Sequence, residues 1–181
     1  MTSILKVDSI QNASGNAAIS IASTGIVTNS KPVGFSAKLE STQGGVVDST
    51  ATKINHTTGG AYTFDTHNGW SNSDHHYTVP TGCDGYWQLT AFYELDVEST
   101  STWGLISTGA AVTGSASYIA RVNLTANSNH SGNPSPFVSA VVYLTAGTII
   151  KHECRHVYGN NRNITAATTY LRTAFQGWRL F

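Results

Sequence analysis

The residues best suited to chemistry are His152-Glu153-Cys154-Arg155-His156, which match H-E-x-x-H, and Gly159 extends the match toward H-E-x-x-H-x-x-G-x-x-H. In a zinc protease that motif works because a helix sets two histidines one turn apart on one face, with the glutamate as general base. Here Thr148, Ile149 and Ile150 run into the motif with strand character. On a strand, residues four apart sit ~13 Å from each other, too far to share an ion. The third-ligand position of the longer pattern is Arg162, a cation with no lone pair to offer a metal. Residues 157–181 contain no Asp, Glu or His, and Met1 is the only methionine, which removes a methionine turn. The motif therefore reads as a strand with Lys151, Glu153 and Arg155 on its wet face and His152, Cys154 and His156 on the other.

Asp74-His75-His76 is the second histidine cluster, in the polar stretch 68–76. Such a cluster either holds a metal or is a solvated loop, and the polar surroundings favour the loop. Cys83 and Cys154 are too few for a disulfide framework; two unpaired thiols are expected, with one bridge as the alternative. The sequence has no G-x-S-x-G, no phosphate-cradling glycine loop and no dinucleotide fingerprint. It predicts no catalytic residue, no metal ligand and no cofactor: not an enzyme.

The elements that must carry these residues are strands. Helical periodicity is missing, whereas apolar, β-branched and aromatic runs recur at 34–39, 86–97, 117–124, 137–144, 148–157 and 168–181, separated by Gly, Asn and Pro. In 86–97 the residues Trp87, Leu89, Ala91, Tyr93, Leu95 and Val97 alternate with Gln88, Thr90, Glu94 and Asp96, so one face is buried and the other mostly wet. Phe92 breaks the polar face, which suits contact with a neighbour. The class is all-β, a sandwich or barrel.

Only 11% of residues are charged and the net charge is +0. No basic stripe invites nucleic acid, no apolar run approaches the roughly 20 residues of a membrane helix, and the opening Met1-Thr2-Ser3-Ile4-Leu5-Lys6 lacks a signal-peptide core. So little charge suits a surface taken up by copies of the same chain. Residues 1–30 have no aromatic side chain, and their short runs around Ile4, Leu5, Val7, Ile10, Ile19 and Ile21 are broken at Gly15-Asn16 and Gly25. Such strands are too short to build a core alone. They fit either a tail or strands shared around a three-fold axis, with a boundary to the rest at Lys31-Pro32.

From Gly34 onward the order of motifs resembles the globular head of the complement-one-q and tumour-necrosis-factor superfamily. Gly34-Phe35-Ser36-Ala37 is similar to its opening strand. Tyr77-Thr78-Val79-Pro80 followed by Asp84-Gly85-Tyr86-Trp87-Gln88-Leu89 is similar to its F-x-x-P-x-x-G-x-Y-x-F segment. Tyr118-Ile119-Ala120-Arg121-Val122-Asn123 and the stretch from Val141 through Gly147 to Ile150 resemble later strands, and Phe175-Gln176-Gly177-Trp178-Arg179-Leu180 matches the closing F-x-G-x-x-L. Thr81-Gly82-Cys83 lengthens one gap, Leu124 follows Asn123 in place of Gly, and Thr148 replaces the usual Asp, so no calcium site carries over.

The resemblance implies a ten-stranded antiparallel jelly-roll sandwich, trimeric and used for binding, with a short N-terminal β extension. Phe35, Trp87, Leu89, Tyr93, Phe175, Trp178 and Leu180 are the core or trimer-interface candidates. Ile4-Leu5-Lys6-Val7-Asp8-Ser9-Ile10 resembles the opening of marine phage structural proteins, in which a brief segment mounts a trimeric head on the particle. That implies virion attachment through residues 1–30, with Ile4, Leu5, Val7 and Ile10 as candidates, and a head at 31–181. The chain would be made in the host cytoplasm and reside on the virion as a tail-fibre or appendage head. Its expected partners are itself, other virion proteins and a host-surface glycan or protein; nucleic acid and membrane insertion are not expected. A decoration or adaptor protein without a receptor role, and a cellular carbohydrate-binding adhesive module, are the alternatives.

Overall fold

The computed structural model describes residues 9–11, 17–21, 23–24, 27–29, 32–96, 101–109, 117–124, 135–166 and 172–181, and every described element is a strand. The chain divides into two compact units, Met1–Pro32 and Val33–Phe181. In the first, β1 (Ser9–Gln11), β2 (Ala17–Ile21) and β3 (Val27–Asn29) form an antiparallel sheet in that order. Ile10 and Ile21 are exposed on it. Ile4, Leu5 and Val7 lie outside the described residues.

The second unit is a sandwich. One sheet has the order β13 (Phe137–Leu144), β10 (Gly85–Phe92), β16 (Ala174–Arg179), β4 (Gly34–Lys38) and β7 (Phe64–Asp65). The other runs β12 (Ser117–Leu124), β11 (Ser101–Thr108), β14 (Ile149–Val157), β9 (His76–Thr78) and β8 (Trp70–Ser71), with β6 (Thr52–Lys53) also paired to β14. A small ribbon joins β15 (Arg162–Ile164) to β5 (Gln43–Val46). All pairings are antiparallel. Six of the thirteen described strands in this unit are only two to four residues long, edge and corner pieces around the longer ones.

The alternation along β10 decides the packing. Trp87, Leu89, Ala91, Tyr93 and Leu95 are fully buried, while Gln88, Thr90 and Phe92 are half-buried and Tyr86 is exposed. Phe35 stacks on Tyr77 at 4.1 Å between centroids and meets Phe175 edge-on at 5.1 Å, and Tyr77 reaches Trp87 at 5.6 Å. Because Phe35 and Phe175 lie on one sheet and Tyr77 on the other, these rings bind the two layers. The indole N–H of Trp87 donates to the Cys83 carbonyl at 3.2 Å, so the ring is buried without an orphaned donor. The glycine in the closing F-x-G has a steric cause: a Cβ at Gly177 would stand 2.5 Å from Phe35 Cε1 and 2.9 Å from Leu89 Cδ2.

One assignment needs correction. The H-E-x-x-H residues do lie on a strand, β14, but Lys151 and Glu153 are fully buried and only Arg155 keeps partial access to solvent. β14 is an interior strand between β11 and the β9 and β6 pieces, so Leu105, Ser107 and Lys53 flank its outward side. Lys151 Nζ lies 3.5 Å from Glu153 Oε1, and Ser107 donates to the same carboxylate. Opposite charges that neutralise each other can leave water together, where either alone would not. Arg155 lies over the Trp103 ring at 4.8 Å.

Trp87→Ala and Phe175→Ala should each lower stability by about 3–5 kcal/mol in chemical denaturation, and Gly177→Ala by about 1–3 kcal/mol through overpacking. Wild-type midpoints for all three would mean that the two layers are not held by these rings.

Candidate functional site

The feature that most needs explaining is the outward face of the five-stranded sheet. Cross-strand register places Tyr143 beside Tyr86, Gln88 between Val141 and Trp178, Thr90 between Ser139 and Gln176, and Phe137 beside Phe92. The face is aromatic at both ends and polar in the middle. At one end Tyr86 packs edge-on against Tyr143 at 5.4 Å and tilted against Phe181 at 5.2 Å. Phe92 and Phe137 stack at 6.5 Å at the other. The chain end is tied down here: Leu180 N donates to the Tyr86 carbonyl at 2.7 Å and Tyr86 N to the Phe181 carbonyl at 3.0 Å.

Despite this local order the side chains remain open to water. Phe137 is 59% exposed, Val141 58%, Tyr143 55% and Phe181 76%, and Tyr86, Trp178, Leu180 and Phe64 are also exposed. Exposed apolar side chains scattered singly need no explanation, but a contiguous patch marks an interaction surface.

The glutamine N–H groups and serine hydroxyls of the polar row in the middle are already engaged from within. Gln88 Nε2 donates to Ser139 Oγ at 2.6 Å, and Ser139 Oγ donates to the Leu89 carbonyl at 3.1 Å. Gln176 Nε2 donates to Ser36 Oγ at 3.0 Å, which in turn donates to the Tyr62 carbonyl at 3.1 Å. No Asp, Glu or Arg points outward from β10, β13, β16 or β4, and Lys38 at the corner pairs with Glu40 at 3.4 Å. Covering this face would therefore strand no acid or arginine, which makes it a good surface to bury.

Of the candidates from the sequence, Phe35, Trp87, Leu89, Tyr93 and Phe175 are core, each 0% exposed, and the Tyr93 hydroxyl donates to the Trp103 carbonyl at 2.9 Å. Trp178 and Leu180, the other two core or trimer-interface candidates, lie on the surface within the aromatic face, so of the two roles only the interface one fits them. Sequence reasoning missed Tyr86, Phe137, Val141, Tyr143 and Phe181. Their signal was present: 137–144 is apolar on both parities, with Val138, Ala140, Val142 and Leu144 inward and Phe137, Val141 and Tyr143 outward. A strand with two apolar faces needs cover on both.

The histidine clusters come apart. His152 meets His56, whereas His156 Nε2 donates to the Val46 carbonyl at 3.1 Å and its Nδ1 lies 3.5 Å from Asp48 Oδ1. Backbone N–H groups of Tyr158 and Gly159 hold that Asp48 carboxyl below its ordinary pKa. Asp74 and His75 occupy the turn between β8 and β9, and His76 begins β9. Asp74 accepts from Ser71 Oγ at 2.8 Å, which lowers its pKa. His75 Nδ1 lies 2.9 Å from the His56 carbonyl. Among the described residues no three His, Cys, Asp or Glu side chains gather as metal ligands would.

Solved structures share this architecture. Murine APRIL at pH 8.0 aligns with a TM-score of 0.59 and 14% identity, and at pH 5.0 with 0.58 and 13%; each alignment covers 83% of this chain and 100% of the other. The fold is a tumour-necrosis-factor-like jelly roll. Eiger TNF from S. frugiperda agrees, with a TM-score of 0.51 and 15% identity over 83% of this chain and 94% of the other. No family profile and no curated protein sequence matches. At such low identity the likeness speaks for the jelly roll alone, and the aromatic face must be read from its own residues.

Both cysteines are free and buried, and burial raises the Cys154 thiol well above its ordinary pKa. A thiol reagent should label neither in the native protein and both after denaturation. Rapid labelling of the native chain would contradict this packing.

Proposed function

We propose that this chain is a non-enzymatic binding module that assembles as a homotrimer by burying the outward face of its five-stranded sheet. Its role would be the head of a bacteriophage tail fibre or other virion appendage that engages a host-surface receptor. The observation that carries self-association is the uncharged aromatic face around Tyr86, Val141, Tyr143 and Phe181. It is exposed in the single chain, internally hydrogen-bonded and free of acids or arginines. The number three rests on the resemblance to complement-one-q and tumour-necrosis-factor heads. Association of apolar, aromatic surfaces depleted of charge follows the pattern of permanent oligomer interfaces.

The virion assignment rests on residues 4–10, which resemble the opening of marine phage structural proteins, and it gives the N-terminal unit the attachment role. Ile10 and Ile21 are exposed apolar side chains on that unit's sheet, suited to docking on another virion protein. The chain would be made in the host cytoplasm and carried on the particle.

Val141→Asp and Tyr143→Asp should each convert the trimer to monomer in size-exclusion chromatography with light scattering, because a carboxylate buried at the interface has no cation to meet. Tyr118→Asp on the edge strand β12 should leave the mass unchanged. A trimer that survives both face substitutions would place the interface elsewhere. For attachment, a chain beginning at Val33 should melt nearly as the full protein does yet fail to enter particles. Normal incorporation of that truncated chain would remove the mounting role.

A further inference from the structure

Inside the sandwich lies a polar pair that self-association does not use. His56 and His152 are both almost completely buried, their rings nearly parallel with 9° between planes and centroids 5.1 Å apart, and His56 Nε2 lies 2.9 Å from His152 Nδ1. Aromatic rings surround them: Trp70 lies 6.4 Å from His56, Phe175 6.4 Å from His56 and 6.0 Å from His152, and Tyr93 5.7 Å from His152. Two neutral imidazoles share one proton in such a bond. Whichever ring donates, the pair retains one N–H without an acceptor and one bare nitrogen without a donor. His56 Nδ1 and His152 Nε2 indeed have no hydrogen-bond partner. Cores normally avoid this, because an unsatisfied buried polar atom costs stability that an apolar side chain would not.

The pair sits where it can act on the fold. Thr52 and Lys53 pair with Cys154 and Glu153, and Ile54 N donates to the His152 carbonyl at 3.0 Å. Three residues on, Thr57 and Lys38 exchange backbone hydrogen bonds of 2.8 and 3.0 Å. The segment 52–57 thus starts on the six-stranded sheet and ends on the five-stranded one, with His56 at the crossing. We infer that the His56–His152 pair is an acid-sensitive latch between the two sheets, closed while both rings are neutral and released when either takes a proton.

The titratable groups facing the pair are His75 from the β8–β9 turn, Tyr93 after β10, and Cys154 on the same side of β14. Four residues along that side, His156 is already engaged with Asp48. Lys151 and Glu153 project from the opposite side of β14, and Phe35, Trp70 and Phe175 carry no charge. An imidazolium here would find no carboxylate. Burial accordingly pushes His152 down to about 3, and burial, then His152 and His75, hold His56 well below its usual value. Unfolded histidines take up protons near pH ~6.5, whereas the folded pair does so only at much lower pH. The pair's contribution is therefore complete above pH ~6.5 and is lost as the pH falls from there toward the folded values.

The test is urea unfolding of the full chain and of a His56→Leu/His152→Leu double variant at about pH 7.5 and about pH 5. With two histidines titrating only in the unfolded chain, the wild-type unfolding constant should rise on the order of 10³-fold more than that of the variant. The variant should be at least as stable as wild type at the higher pH. An identical pH response in the two proteins overturns the latch. Should the variant not fold, ring-nitrogen NMR of the folded wild type decides: both rings neutral at about pH 5 is expected, and either ring charged there overturns it.

Discussion

Phe35 is the ring on which the two layers meet, and much of the rest follows from seating it. It stacks on Tyr77 of the opposite sheet, meets Phe175 of the neighbouring strand edge-on and touches Trp70 at 5.6 Å. Its seat requires that β16 carry no side chain at position 177. Tyr77 in turn hands the contact to Trp87. Because this aromatic cluster fixes the inward parity of β4, β10 and β16, it also fixes what faces out. With Trp87, Leu89 and Ala91 turned inward, Tyr86, Gln88, Thr90 and Phe92 have no choice but the other face. The inward packing and the outward aromatic face are consequences of one register.

Charge is managed with the same economy. The few ionisable groups near the interior are either paired, as Lys151 with Glu153, or kept neutral, as His56 and His152. Outside, the five-stranded sheet presents tyrosines, amides and hydroxyls where most surfaces would carry lysines and glutamates. A monomer gains nothing from that arrangement and risks aggregation. A closed assembly gains a dry interface with no charge to desolvate. That contrast is the physical case for the proposed self-association.

Much of the framework was legible from the residues. The alternation in 86–96, the spans 117–124 and 137–144 and the strand character of the H-E-x-x-H segment all follow from side-chain period and β-branching. Other parts were not. Ser101–Thr108, Ser-Thr-Trp-Gly-Leu-Ile-Ser-Thr, is a central strand with little apolar alternation, because Thr102, Gly104 and Ser107 are buried by their neighbours rather than by their own hydrophobicity. The burial of Lys151 and Glu153 depends on their pairing and on Ser107, 44 residues or more away in sequence, which no local pattern encodes. Trp178 and Leu180 read as core or trimer interface, and residue type could not choose between the two. Register, not residue type, sends them to the surface. His56 gave no sequence signal, since its partner lies 96 residues further along.

Sedimentation equilibrium of the full chain at low micromolar concentration tests the central claim most directly. An aromatic face that is buried by identical copies gives a mass of three times the 19.2 kDa chain. A single-chain mass that persists as concentration rises would contradict it, and the exposed face would then belong to a different partner.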